Sequence, residues 1–72
     1  MITEIHTTVN SITNKIRSRR EAMNFTQAYV AGKLGISQNA YSKIESGQTN
    51  FTVKRLYEIM NILEANVLDF IQ

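Results

Sequence analysis

Residues 26–47, TQAYVAGKLGISQNAYSKIESG, leave this chain little choice of local structure. They spell two short helices joined by one tight turn. Thr26 can accept the free backbone N–H groups of a helix beginning at Gln27. Val30, Ala31 and Leu34 then fall on one face at helical spacing. Gly35 ends that helix in the left-handed backbone conformation that Gly adopts without a steric penalty. Ser37 is placed to cap a second helix with Ala40, Tyr41 and Ile44 turned inward, and Gly47 closes it in the same way. Ala31 is small and faces the turn, as two helices crossing steeply over a connection of about three or four residues require.

The rest of the composition narrows the class. A chain of 72 residues makes one small domain. It buries only about 60% of its unfolded surface, so its stability is modest or helped by a partner subunit. It has no Cys, and His6 is its only histidine. Neither a disulfide framework, a Cys-based metal site nor a nucleophile with its oriented base can be assembled, so no enzyme, cofactor, metal or small-molecule ligand is expected. No basic leader precedes an apolar run and no stretch approaches membrane-spanning length, which predicts a cytoplasmic protein with no membrane partner.

Charge is segregated. All eight basic residues, Lys15, Arg17, Arg19, Arg20, Lys33, Lys43, Lys54 and Arg55, lie between positions 15 and 55. Only Glu21 and Glu45 oppose them there, a local charge of +6, whereas 56–72 carries Glu58, Glu64 and Asp69 and no base. One face for a polyanion and another for a different partner fit this distribution.

With no Pro and no Gly/Ser-rich linker, the chain reads as all-α. The first helix is expected over 11–23 with Ile12, Ile16 and Met23 inward, ended by Asn24-Phe25, with Phe25 plugging the core. The fourth starts after Thr52, with Val53, Leu56, Ile59, Met60 and Leu63 inward. Asn66 and Asp69 would cap a fifth, short helix over 67–71. Residues 1–10 form either an N-terminal arm or a backward extension of the first helix, because Ile2, Ile5 and Val9 continue the stripe of Ile12 and Ile16. The domain proper is 11–72.

The helix–turn–helix residues, in register with their core positions, resemble those of Cro/cI-type repressors, the XRE family, from about Ile12 to Phe70. The resemblance implies a compact five-helix lambda-repressor-like DNA-binding domain with the helix-turn-helix at helices two and three. One departure stands out: a Gly commonly follows the last leucine of the fourth helix, and this chain has Glu64. Either the backbone avoids the left-handed conformation there or it accepts a penalty of about 1 kcal/mol.

The resemblance assigns base-edge contacts to Gln38, Asn39, Ser42 and Lys43 on a recognition helix over 37–46. The chemistry suits that role, since glutamine and asparagine amides pair bidentately with adenine and lysine donates to guanine. It also implies that Gln27 holds a backbone phosphate and buttresses Gln38, that Thr49 and Asn50 touch further phosphates, and that Arg20 and Glu45 form a largely internal salt bridge. Lys54 and Arg55 carry an argument of their own. Cations in the first turn of a helix oppose its dipole, and a docked phosphate reverses the account; ordinary solvated residues are the alternative.

The resulting expectation is a sequence-specific transcriptional regulator binding double-stranded DNA as a homodimer on an inverted repeat, because one small domain makes too few contacts alone. Val67, Leu68, Phe70 and Ile71 concentrate apolar surface in the base-free tail and are the expected dimer face. The rival is an antitoxin-like module whose main task is binding a protein partner.

Overall fold

The computed structural model describes the backbone of residues 2–66 and 68, and the side chains of 11–66 and 68. These residues form α1 (Ile2–Ala22), α2 (Gln27–Leu34), α3 (Gln38–Glu45) and α4 (Val53–Ile62). The all-α expectation is met with four helices rather than five. The fifth, expected over 67–71, lies outside the described residues apart from Leu68, whose N–H donates to Asn66 Oδ1 at 3.0 Å. The backbone of the first helix runs without a break from Ile2, in the form of the backward extension that is one of the two alternatives for residues 1–10.

One stop-and-start device is repeated along the chain. Each helix is followed within two residues by one of positive φ, namely Asn24 (59°), Gly35 (75°), Gly47 (76°) and Glu64 (53°). The next residue's N–H reaches back to a carbonyl five positions earlier: Phe25 to Arg20 at 3.1 Å, Ile36 to Ala31 at 3.0 Å, Gln48 to Lys43 at 2.9 Å and Ala65 to Met60 at 2.9 Å. This bond closes the orphan carbonyls of the last turn. Three of those next residues, Phe25, Ile36 and Ala65, also pack against the core. A cap then starts the following helix. Thr26, Ser37 and Thr52 accept from the N–H groups of Tyr29, Ala40 and Arg55 at 3.0, 3.1 and 3.0 Å.

The backbone therefore accepts the left-handed conformation at Glu64. What holds it there is Arg19, whose Nε donates to the Leu63 carbonyl at 2.9 Å and whose Nη2 donates to the Glu64 carbonyl at 3.1 Å. The fork ties the end of α4 to α1 and places a cation at a helix C-terminus, where the dipole favours it.

The core comprises Ile16, Val30, Ala31, Tyr41, Ile44, Leu56, Ile59, Met60 and Leu63. α2 and α3 pack most closely, with α1 against α3 and α4 against α2. Buried Ala31 permits the close α2–α3 crossing. One expectation needs correction. Val53 is 69% exposed, because as the first residue of α4 it sits on the rim of an apolar groove shared with Ile12, Phe51 and Leu56. An inward tyrosine ordinarily brings its hydroxyl to the domain edge or to a partner; Tyr41 is fully buried instead, and that oxygen lacks a hydrogen-bond partner among the described residues.

Candidate nucleic-acid interface

α3 is anchored from one side and open on the other. Tyr41, Ile44 and Glu45 are buried, so the helix cannot turn about its axis without pulling them from the core. Gln38, Asn39 and Lys43 consequently face solvent, with Ser42 half-buried beside them. Ser37 is occupied as the cap and Ser46 Oγ donates to the Lys43 carbonyl at 3.2 Å. The open face thus presents two amides at the N-terminal end of the helix and an ammonium in its last turn, groups able to donate to and accept from base edges.

The anchor is ionic as well as apolar. Arg20 Nε donates to Glu45 Oε2 at 2.7 Å and Nη2 to Oε1 at 3.0 Å, a two-pronged pair between α1 and α3. Arg20 Nη1 also donates to the Phe25 carbonyl at 2.9 Å, fixing the chain between α1 and α2. Glu45 is 1% exposed. Burial alone would push its carboxyl pKa up; the hydrogen bonds of Arg20 and Gln27 and the nearby Tyr41 hydroxyl outweigh that and hold it below the usual value of 4.5. Its carboxylate in turn raises the Arg20 pKa. The Tyr41 phenol is pushed well above 10, first by burial and next by the neighbouring carboxylate. That hydroxyl lies near enough to Glu45 for each to affect the other's charge, yet it is not in hydrogen-bonding geometry.

Gln27 differs from expectation. As the first residue of α2 it is half-buried, and its Nε2 donates to Glu45 Oε1 at 3.3 Å rather than to Gln38. Nothing in the spacing signals this contact, because it needs the α2–α3 crossing to bring residues 18 apart together.

The cations are also more divided than their order suggests. Arg20 belongs to Glu45; Arg17 Nε lies 3.8 Å from the same carboxylate, and Arg19 is committed to the end of α4. Arg55 pairs with Glu58 at 3.2 Å. Lys33 Nζ sits 5.6 Å from the centre of the Tyr29 ring, whose centre lies 4.5 Å from that of Phe25 with the two planes tilted by 40°. Lys43 and Lys54 are exposed, as are Thr49 and Asn50 in the loop between α3 and α4. Leu68 is 55% exposed; Val67, Phe70 and Ile71 lie outside the described residues. No helix among the described residues is long and apolar enough to cross a membrane.

The two capped helices, the Gly35 turn and the outward face of α3 describe one motif, and the helix-turn-helix family matches residues 16–70. This chain is an XRE-type helix-turn-helix protein. It is also 38% identical over 56 residues to the cryptic phage CTXphi transcriptional repressor RstR of Vibrio cholerae serotype O1. That alignment takes in 78% of this chain and 50% of the relative, so the chain spans about half of the repressor's length. No solved structure matches the chain.

Proposed function

We propose that this helix-turn-helix protein is a sequence-specific DNA-binding transcriptional regulator that lays α3 in the major groove of double-stranded DNA. The outward set of Gln38, Asn39 and Lys43 on a helix anchored by Tyr41, Ile44 and Glu45 carries this reading. A reading helix must offer base-edge chemistry while its orientation is held elsewhere. Similarity to a phage transcriptional repressor supports it. Thr49, Asn50 and Lys54 are the expected phosphate contacts, with Gln27 at the start of α2; Arg55 joins them by exchanging Glu58 for a phosphate. The active species is a homodimer on an inverted repeat, with Val67, Leu68, Phe70 and Ile71 in the contact.

The decisive experiment is selection of bound sites from a random DNA pool, followed by titration at several salt concentrations. A palindromic consensus is expected, with log affinity falling by about 0.9 per phosphate contact for each decade of salt. Changing Lys54 and Arg55 together to Ala should flatten that slope and leave sequence preference nearly intact. A parent protein with a flat salt response and no enriched sequence does not bind DNA in this way.

A further inference from the structure

The buried Glu45 carboxylate joins three helices. Its own helix is the proposed recognition helix; Arg20 reaches it from α1 at 2.7 and 3.0 Å, and Gln27 from the first turn of α2 at 3.3 Å. Ion pairing alone gives no reason for this much burial. A buried pair is often replaceable by apolar side chains of similar volume without loss of stability. The third bond is different in kind, because Gln27 lies at a helix N-terminus, where backbone N–H groups and the dipole favour an anion.

We infer that Glu45 is a positioning residue for DNA: by accepting from Gln27 it fixes the amide that grips the phosphate backbone, in register with the recognition helix. The inference rests on the DNA-binding reading above. An amide nitrogen carries two N–H groups. With one committed to Glu45 Oε1, the plane of the amide is set and the second N–H is directed in the free protein. A charged acceptor holds that bond more firmly than a neutral one. The rotamer freedom that a loose glutamine would lose on docking is therefore already lost before DNA arrives. The same carboxylate sets the angle of α3 through Arg20, so base-reading and phosphate-gripping groups share one reference point.

A double-mutant cycle tests this on a short mixed-sequence duplex at one low salt concentration. In the parent chain, Gln27→Ala should weaken binding about tenfold, as loss of a good phosphate contact does. In a chain carrying Arg20→Met with Glu45→Leu, which keeps the volume and removes the charges, the same change should have almost no effect. Glu45→Gln, which retains an acceptor oxygen, should restore part of it and serves alone if the paired variant does not fold. Nuclear magnetic resonance gives a readout that needs no DNA. The Gln27 side-chain amide protons should be shifted and slow to exchange in the parent, and should collapse to free-glutamine values with Glu45→Leu. Equal losses from Gln27→Ala in both backgrounds, or amide signals indifferent to Glu45, overturn the positioning role while leaving DNA binding intact. A parent that binds no duplex overturns the DNA reading and this role with it.

Discussion

Tyr41 shows how much one side chain can reveal. A buried hydroxyl with no partner costs about 1–3 kcal/mol relative to a satisfied one. Tyr41→Phe should therefore hold or raise the thermal unfolding midpoint, by the equivalent of about 1 kcal/mol. A clear fall would mean that the hydroxyl bonds Glu45 in solution. On the open face of α3, Gln38→Ala, Asn39→Ala and Lys43→Ala should each reduce binding to the selected operator by about 1–3 kcal/mol. Binding to scrambled duplex should change much less, except that Lys43→Ala also removes a charge and should weaken both. A competition assay at fixed salt distinguishes the cases, and equal losses on both duplexes would show that α3 does not read bases.

At the scale of elements, stability depends on how each helix stops. Gly35 and Gly47 adopt the left-handed conformation freely, and Asn24 tolerates it. Glu64 does not, and Arg19 holds it in place. Glu64→Gly should stabilise the protein by about 1 kcal/mol, measured by urea unfolding, and should soften the effect of Arg19→Ala. Gly32 gives a second test. It lies inside α2, and a Cβ built there meets nothing within 4 Å. Gly32→Ala should therefore add roughly 0.5–1 kcal/mol through helix propensity alone. A loss at either position would point to a contact that these helices make with another molecule.

The whole molecule is held by a polar link as well as by its core. Arg20→Ala would strand the Glu45 carboxylate in the interior and should cost about 3–5 kcal/mol. The same link sets the pH limits. Because folding lowers the Glu45 pKa, its stabilisation is present above the ordinary carboxylate value of 4.5 and is lost as pH falls through the lower folded value. Folding raises the Tyr41 pKa, so that contribution is complete below 10 and disappears as pH climbs beyond it. Unfolding midpoints should be flat through neutral pH, dropping below 4.5 and above 10; Arg20→Met with Glu45→Leu should remove most of the acid limb, and Tyr41→Phe the alkaline one. An unchanged acid limb in the paired variant would assign it to other carboxylates.

What the sequence determined by itself was local. Caps at Thr26, Ser37 and Thr52, the glycines at 35 and 47, and the apolar spacing of α2 to α4 are short-range rules, legible because each acts within about one helical turn. The outward face of α3 followed by subtraction from its buried residues. Tertiary structure decided what depends on crossing helices: that Gln27 bonds Glu45 rather than Gln38, that Arg19 leaves the basic cluster to close α4, and that Arg55 turns to Glu58. It also left Val53 on a groove rim and sealed Tyr41 inside. Long polar side chains choose partners by proximity in space, across separations such as the 44 positions between Arg19 and Leu63, and residue order alone carries no distance of that kind.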